Sequence, residues 1–358
     1  MKMLMHTCIR IICLSFCMIL QLQAASIDTT IPGSFYQLSL NYDAQVTLAG
    51  GEYLRGDMKL RAGLTLSGDA ELRGISEPID GDIYLNGHTL TITNDVYLGE
   101  NSIIHGDGKI NMTGSSTLHL MHDLTLKDGV IYVPVLGRTS FDGHGHQFFV
   151  DNNCRFHPYG SSTNIFTNIT LANFQATASA LDSDTRYRFY NADFILKDAI
   201  LMMSKGAYIG YTNMTCYGIV KILGKPGYRF LIERSYFNIQ EHSQCIFDPN
   251  CYIETPFEGG TSSYHTTFNF ASDTSILYWD NCTIELNSTD DQWQTVGNDI
   301  TFLYGTIIIN GLVTLKTSLG IGYHISFGNS TLGNVPNVTF MANSHLRLGS
   351  AIDLKIYK

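Results

Sequence analysis

The chain is short of charge, of proline and of any excess of basic residues. Only 15% of its 358 residues are charged, against about 25% in an average soluble domain. With 44% hydrophobic residues it has too much to bury to remain disordered. Eight prolines are too few for a linker-rich chain. Its 22 Lys and Arg stand against 32 Asp and Glu, a net charge of −10. That balance excludes nucleic acid as an expected partner, because nucleic acid is held through basic patches. Cysteine is sparse as well. Cys8, Cys13 and Cys17 lie near the N-terminus, which leaves Cys154, Cys216, Cys245, Cys251 and Cys282. An odd, scattered set is not a disulfide framework. Only Cys245 and Cys251, bracketing five residues, could close a small loop. No CxxC pair or His/Cys spacing suggests zinc, so no metal and no cofactor is expected.

The first residues have the layout of a secretory signal peptide. Lys2 and Arg10 precede an apolar run from Ile11 to Leu20, and small residues follow at Ala24 and Ala25. A run of about ten residues is too short to cross a ~30 Å hydrocarbon layer. Residues 1–25 are therefore expected to be removed, leaving 20 basic and 32 acidic residues and a charge of −12. No later stretch reaches eighteen uncharged apolar residues, so the mature chain is expected to lack a transmembrane span. Residues 26–45 read as an N-terminal lead-in or cap. The expected location is secreted, periplasmic or cell-surface.

What the chain does have is glycine, 33 residues of it, and a repeat. Val46-Thr-Leu-Ala-Gly recurs as Leu64-Thr-Leu-Ser-Gly, Ile83-Tyr-Leu-Asn-Gly, Ile103-Ile-His-Gly-Asp and Leu124-Thr-Leu-Lys-Asp. Phe148-Phe-Val-Asp-Asn, Ile169-Thr-Leu-Ala-Asn and Phe194-Ile-Leu-Lys-Asp continue it. Later echoes begin at Val220, Ile307, Ile325 and Leu346. Alternation with period two places the first and third positions on one face of a short strand. The fifth position is Gly50, Gly68, Gly87, Asp107, Asp128, Asn152, Asn173 and Asp198, residues that tolerate positive φ or make Asx turns. A strand ending in a sharp bend every ~20 residues coils into a parallel β-helix. The expected fold is all-β: one solenoid over residues 46–358, of about 13–16 rungs with ~18–26 residues each, and longer loops after about residue 125. In that reading His105 falls in the inward Leu column, and Cys245–Ser263 and Asn287–Asn298 are loops.

Phe141-Asp-Gly-His-Gly-His-Gln-Phe-Phe, Leu85-Asn-Gly-His-Thr-Leu-Thr-Ile and Ile104-His-Gly-Asp-Gly-Lys-Ile carry a further signal. They resemble the glycine-flanked strand entries of pectin-lyase-like right-handed parallel β-helices. The resemblance covers roughly residues 40–355 and is one of fold. That superfamily includes polysaccharide lyases, polygalacturonase-type hydrolases, phage tailspikes and bacterial surface adhesins. Gly143-His144-Gly145 matches the Gly-His-Gly of the hydrolases, but their Asn-Thr-Asp, preceding Asp-Asp and Arg-Ile-Lys are all missing. Hydrolysis needs two carboxyls flanking one bond, so Gly143 and Gly145 read as bend glycines.

The polar constellation that stands out is Asp182, Asp184, Arg186 and Arg188, whose even spacing puts all four on one face of an extended strand. Two guanidiniums beside two carboxylates could grip a sugar acid, or simply form a solvated polar face. The function these features suggest is a non-enzymatic, adhesin-like β-helix that presents a long lateral face to a glycan or surface protein. The alternative is a polysaccharide lyase or glycoside hydrolase with an atypical active site.

Overall fold

In the computed structural model, the described residues are 40–42, 45–56, 58–100, 102–157, 162–175, 192–210, 212–233, 235–257, 267–288, 299–302, 304–317, 323–328 and 335–356. They form a parallel β-solenoid with no helix among them. A first sheet has 14 strands, a second 13, a third 6 and a fourth 3. Rung-to-rung pairing is parallel throughout, as in Val46↔Leu64, Lys109↔Ile131 and Thr283↔Thr314. The signal-peptide segment, most of the lead-in, and Asp182, Asp184, Arg186 and Arg188 lie outside the described residues.

The second sheet gives the pitch of the coil in residues. Successive partners Val46, Leu64, Ile83, Ile104 and Leu126 are 18, 19, 21 and 22 residues apart. Cys245, Leu277, Ile307 and Val338 are separated by 32, 30 and 31. Longer turns thus enter the later rungs while the strands stay short.

In the early rungs the first-sheet strands are long and bent. Ala70–Ile79, Thr89–Leu98 and Ile131–Asp142 each run 10 to 12 residues. The bend falls at Gly74, Asn94, Gly114 and Gly137, all at positive φ, where a β-branched residue would be strained. From Ala207–Gly210 onward, separate third-sheet strands appear.

The repeat seen in the sequence mixes faces. The Val46, Leu64 and Ile83 segments do stack in one sheet. Phe194, however, belongs to Asp193–Lys197 of the first sheet, Ile325 to Tyr323–Phe327 of the fourth and Leu346 to His345–Leu348 of the third. Every face uses the same strand-and-bend code, so composition alone does not say which face a segment joins. Register also slips by one at Ile83↔Ile104. Ile104 is therefore the inward residue, and His105 points outward rather than into the Leu column. The described part of Cys245–Ser263, expected as a loop, is mostly strand: Gln244–Phe247 runs into it and Tyr252–Phe257 lies within it, while residues 258–263 and most of the Asn287–Asn298 loop lie outside the described residues.

Of the eight bend positions, Gly87, Asp128, Asn173 and Asp198 have positive φ. Gly50 and Asp107 sit beside Gly51 and Gly106, which carry it instead, and Asn152 lies in a turn. Gly68 has another requirement: a Cβ there would stand 2.2 Å from the Gly50 nitrogen on the rung before. Corner acids also tie one rung to the next. Asp69, Asp80, Asp123 and Asp198 accept from the backbone N–H of Thr89, Glu100, Gln147 and Ile219 respectively, at 2.7–3.0 Å.

Inside, aliphatic residues fill the first rungs and aromatic rings the later ones. Tyr132 and Phe156 stack at 4.4 Å, and Phe141 and Phe166 at 5.1 Å. Such ring pairs gain attraction beyond their buried area. A buried polar chain runs among them: the Tyr132 hydroxyl donates to Thr139, which donates to Asn164. The five described cysteines are buried free thiols, so Cys245 and Cys251 form no disulfide.

Candidate functional site

The outer surface carries two clusters in which side chains from successive rungs meet. The first lies at the corner between the first and second sheets. Leu118, Leu120 and Phe141 face the core, so alternation turns His119 and Asp142 outward. They are direct partners in adjacent strands, and Tyr97 precedes them in the same column. The column continues through Thr167, Lys197 and Tyr217.

After Asp142 the chain turns sharply. A Cβ at Gly143 would approach Ile169 Cβ to 2.5 Å and the Asn168 carbonyl to 2.6 Å, and Gly145 has φ +90°. Between these two glycines His144 adopts φ +48°, and its N–H faces Asp142 Oδ1 at 3.4 Å. This fold-back carries the His144 ring over the previous rung. His144 Nε2 lies 3.4 Å from His119 Nδ1 and 3.5 Å from Asp142 Oδ2, and His119 Nδ1 lies 3.6 Å from the same oxygen. Three atoms of metal-ligand type, from His119, Asp142 and His144, thus lie close together. The Tyr97 ring stacks on His119 at 4.3 Å with a 7° interplanar angle and fixes its tilt.

More histidines flank this cluster. His122 and His146 stack at 5.4 Å one turn further on. His105 stacks on Tyr84 and lies 2.9 Å from Asp128 and 3.2 Å from Asp82.

The second cluster lies on the third sheet. Glu254 pairs with Glu285 along the ladder and Glu285 with Lys316, while Tyr252 pairs with Thr283. The Glu254 and Glu285 side chains are 11% and 4% exposed. Arg229 Nη1 bonds Glu254 at 2.5 Å, Lys316 Nζ lies 3.5 Å from Glu285, and the Tyr252 hydroxyl donates to Glu285. Both cations also lie over the Tyr252 ring. Burial, then the bond to Glu285, holds the Tyr252 hydroxyl above its usual range. Bonding to Tyr252 raises the Lys316 ammonium. Two carboxylates meet two cations, so the cluster balances its own charge.

The sequence reading missed both clusters. Its columns began on the second sheet and later mixed faces, whereas His119 and Asp142 are partners in the first, and Glu254, Glu285 and Lys316 are partners in the third. The available signal was His119 standing 23 residues, about one rung, before Asp142 in Phe141-Asp-Gly-His-Gly-His. Neither protein-family models, nor curated protein sequences, nor solved structures give a match to this chain.

Proposed function

We propose that the chain is a non-enzymatic, secreted or surface-exposed member of the pectin-lyase-like β-helices, adhesin-like, holding a glycan or surface protein along its lateral face. The observation that supports this most is the outward column Tyr97, His119, Asp142, Thr167, Lys197 and Tyr217. Six strands at ~4.8 Å spacing make it about 24 Å long. Its end rings suit stacking on sugars or protein, and the hydrogen-bonding groups between them carry both signs of charge. Screening an array of neutral and acidic glycans tests the reading, with Tyr217→Ala and Lys197→Ala as controls. Both variants should lose at least ~10-fold in affinity, about 1.4 kcal/mol, with little change in melting temperature. Binding equal to wild type would remove the column from the interface.

A second reading, a polysaccharide-cleaving enzyme, draws support from Glu254 and Glu285. They are ladder partners on adjacent rungs beside Arg229, Lys316 and Tyr252, and glycosidic hydrolysis uses a pair of carboxyl groups. In its favour would be new reducing ends or unsaturated products from a polysaccharide panel, lost in Glu285→Gln.

A further inference from the structure

We propose that His119 Nδ1, Asp142 Oδ2 and His144 Nε2 bind a single divalent transition-metal ion of the zinc class. The three separations, 3.4, 3.5 and 3.6 Å, are all longer than a good hydrogen bond of ~2.7–3.2 Å. The atoms therefore lie close together with at most a weak hydrogen bond between the two imidazoles. The centre of such a triangle lies about 2.0 Å from each atom, the ordinary Zn–N and Zn–O distance. Three ligands at tetrahedral angles and ~2.1 Å from zinc stand about 3.4 Å apart, so the ion fits in or just above the plane of the three atoms. Two imidazoles and one carboxylate select zinc and its neighbours in the first transition row. Calcium and magnesium prefer shells made wholly of oxygen.

The groups around the site hold the ligands in place. Tyr97 stacks flat on His119, and Asp142 Oδ1 faces the His144 N–H, leaving Oδ2 for the ion. The two bounding glycines set the turn that returns His144 to the previous rung. Fixing of ligands by outer groups is typical of metal centres. Side-chain exposure rises from 16% at His119 to 30% at Asp142 and 43% at His144. The ion would thus be reached from solvent on the His144 side, where the fourth position takes water or an exchangeable donor. This site stands whether or not the outward column binds glycans.

The test uses the purified, folded chain stripped with a chelator and titrated with Zn²⁺ against a chromophoric competitor. Co²⁺ serves as a second probe whose visible spectrum reports nitrogen and oxygen ligation. Wild type should take up one equivalent at high affinity, and its melting temperature should rise with Zn²⁺. His144→Gln and Asp142→Asn should each weaken binding by at least ~100-fold, the upper end of what losing an outer-shell group does. Both should melt like wild type without metal. The double variant His122→Ala with His146→Ala should keep the affinity within about threefold. The proposal is overturned if no stoichiometric Zn²⁺ binds. It fails equally if both triad variants bind as wild type, or if the His122/His146 variant loses as much as they do.

Discussion

The histidine corner and the third-sheet cluster are built by the same device, outward residues brought together by a one-rung offset, yet they reach opposite electrostatic ends. Around Tyr252, each buried carboxylate has a cation on it: Arg229 on Glu254 and Lys316 on Glu285. That arrangement balances its own charge. At the histidine corner, three atoms able to donate a lone pair lie 3.4–3.6 Å from one another, too far apart for good hydrogen bonds. A stacked ladder repeats similar backbone geometry at ~4.8 Å, so the side chains, and at the histidine corner the turn after Asp142, decide whether a face closes on itself or stays open to a ligand.

The largest expected effect breaks the closed cluster. Arg229→Ala together with Lys316→Ala strips the cations from two mostly buried carboxylates on adjacent rungs. Removing one partner of a buried pair costs ~3–5 kcal/mol. Because both cations are partly hydrated, about 3 kcal/mol is expected, read as a lower urea midpoint at pH 7. A loss below 0.5 kcal/mol (on the order of an exposed pair) would mean the cluster is effectively solvated.

Next comes the turn that makes the open corner. Gly143→Ala puts a methyl group against Ile169 Cβ and the Asn168 carbonyl at 2.5–2.6 Å, and backbone cannot yield as a flexible side chain would. It should cost ~1–3 kcal/mol by thermal melting. Gly145→Ala meets no neighbour within 4 Å and costs only the left-handed strain, about 1 kcal/mol. Equal costs at the two positions would remove the close-packing argument at Gly143.

Much of the solenoid was legible in the sequence, because strand alternation and bend residues are local properties. Val46, Leu64 and Ile83 are equivalent residues on consecutive rungs, as their spacing implies. Which face a segment joins is a property of the assembled coil. Phe194 and Leu346 therefore read as the same repeat although they stack in different sheets. The candidate sites were hidden for the same reason. His119 and Asp142 become neighbours only once the first-sheet register is known, and Glu285 meets Lys316 only across a 31-residue rung. Where the sequence did place weight, at Gly143-His144-Gly145, the bend residues were recognised and the histidine between them was not.

A smaller effect is expected from Tyr252→Phe, which removes the hydroxyl donor to Glu285. At pH 7 the loss should be about 1 kcal/mol, that of one hydrogen bond. The variant should also respond differently to alkali. Tyr252 and Lys316 are both raised in the folded state. The folded chain therefore holds protons that the unfolded chain releases, and their stabilisation is complete below pH ~10 and lost as pH rises further. Melting curves from pH 8 to 11 should show wild type falling above pH ~10, and Tyr252→Phe falling less steeply. Parallel curves would show that the hydroxyl titrates alike in the folded and unfolded chains.

The smallest expected effect belongs to the open corner, and it sharpens the contrast most. His144 is 43% exposed, its three-atom contacts are long, and no buried charge depends on it. In chelator-treated protein, His144→Ala should change stability by no more than about 0.5 kcal/mol, as for an ordinary surface substitution. His119→Ala also forfeits the flat stack on Tyr97, so its loss should be slightly larger, about 0.5–1 kcal/mol. Urea denaturation of both variants beside Arg229→Ala/Lys316→Ala measures the asymmetry directly. If His144→Ala without metal lost as much as the double cation variant, the histidine corner would be a self-satisfied network like the one around Tyr252. Its convergent geometry would then owe nothing to a ligand. A small loss has the opposite meaning: a turn bounded by two specialised glycines holds an imidazole in a place where it adds almost nothing to the fold.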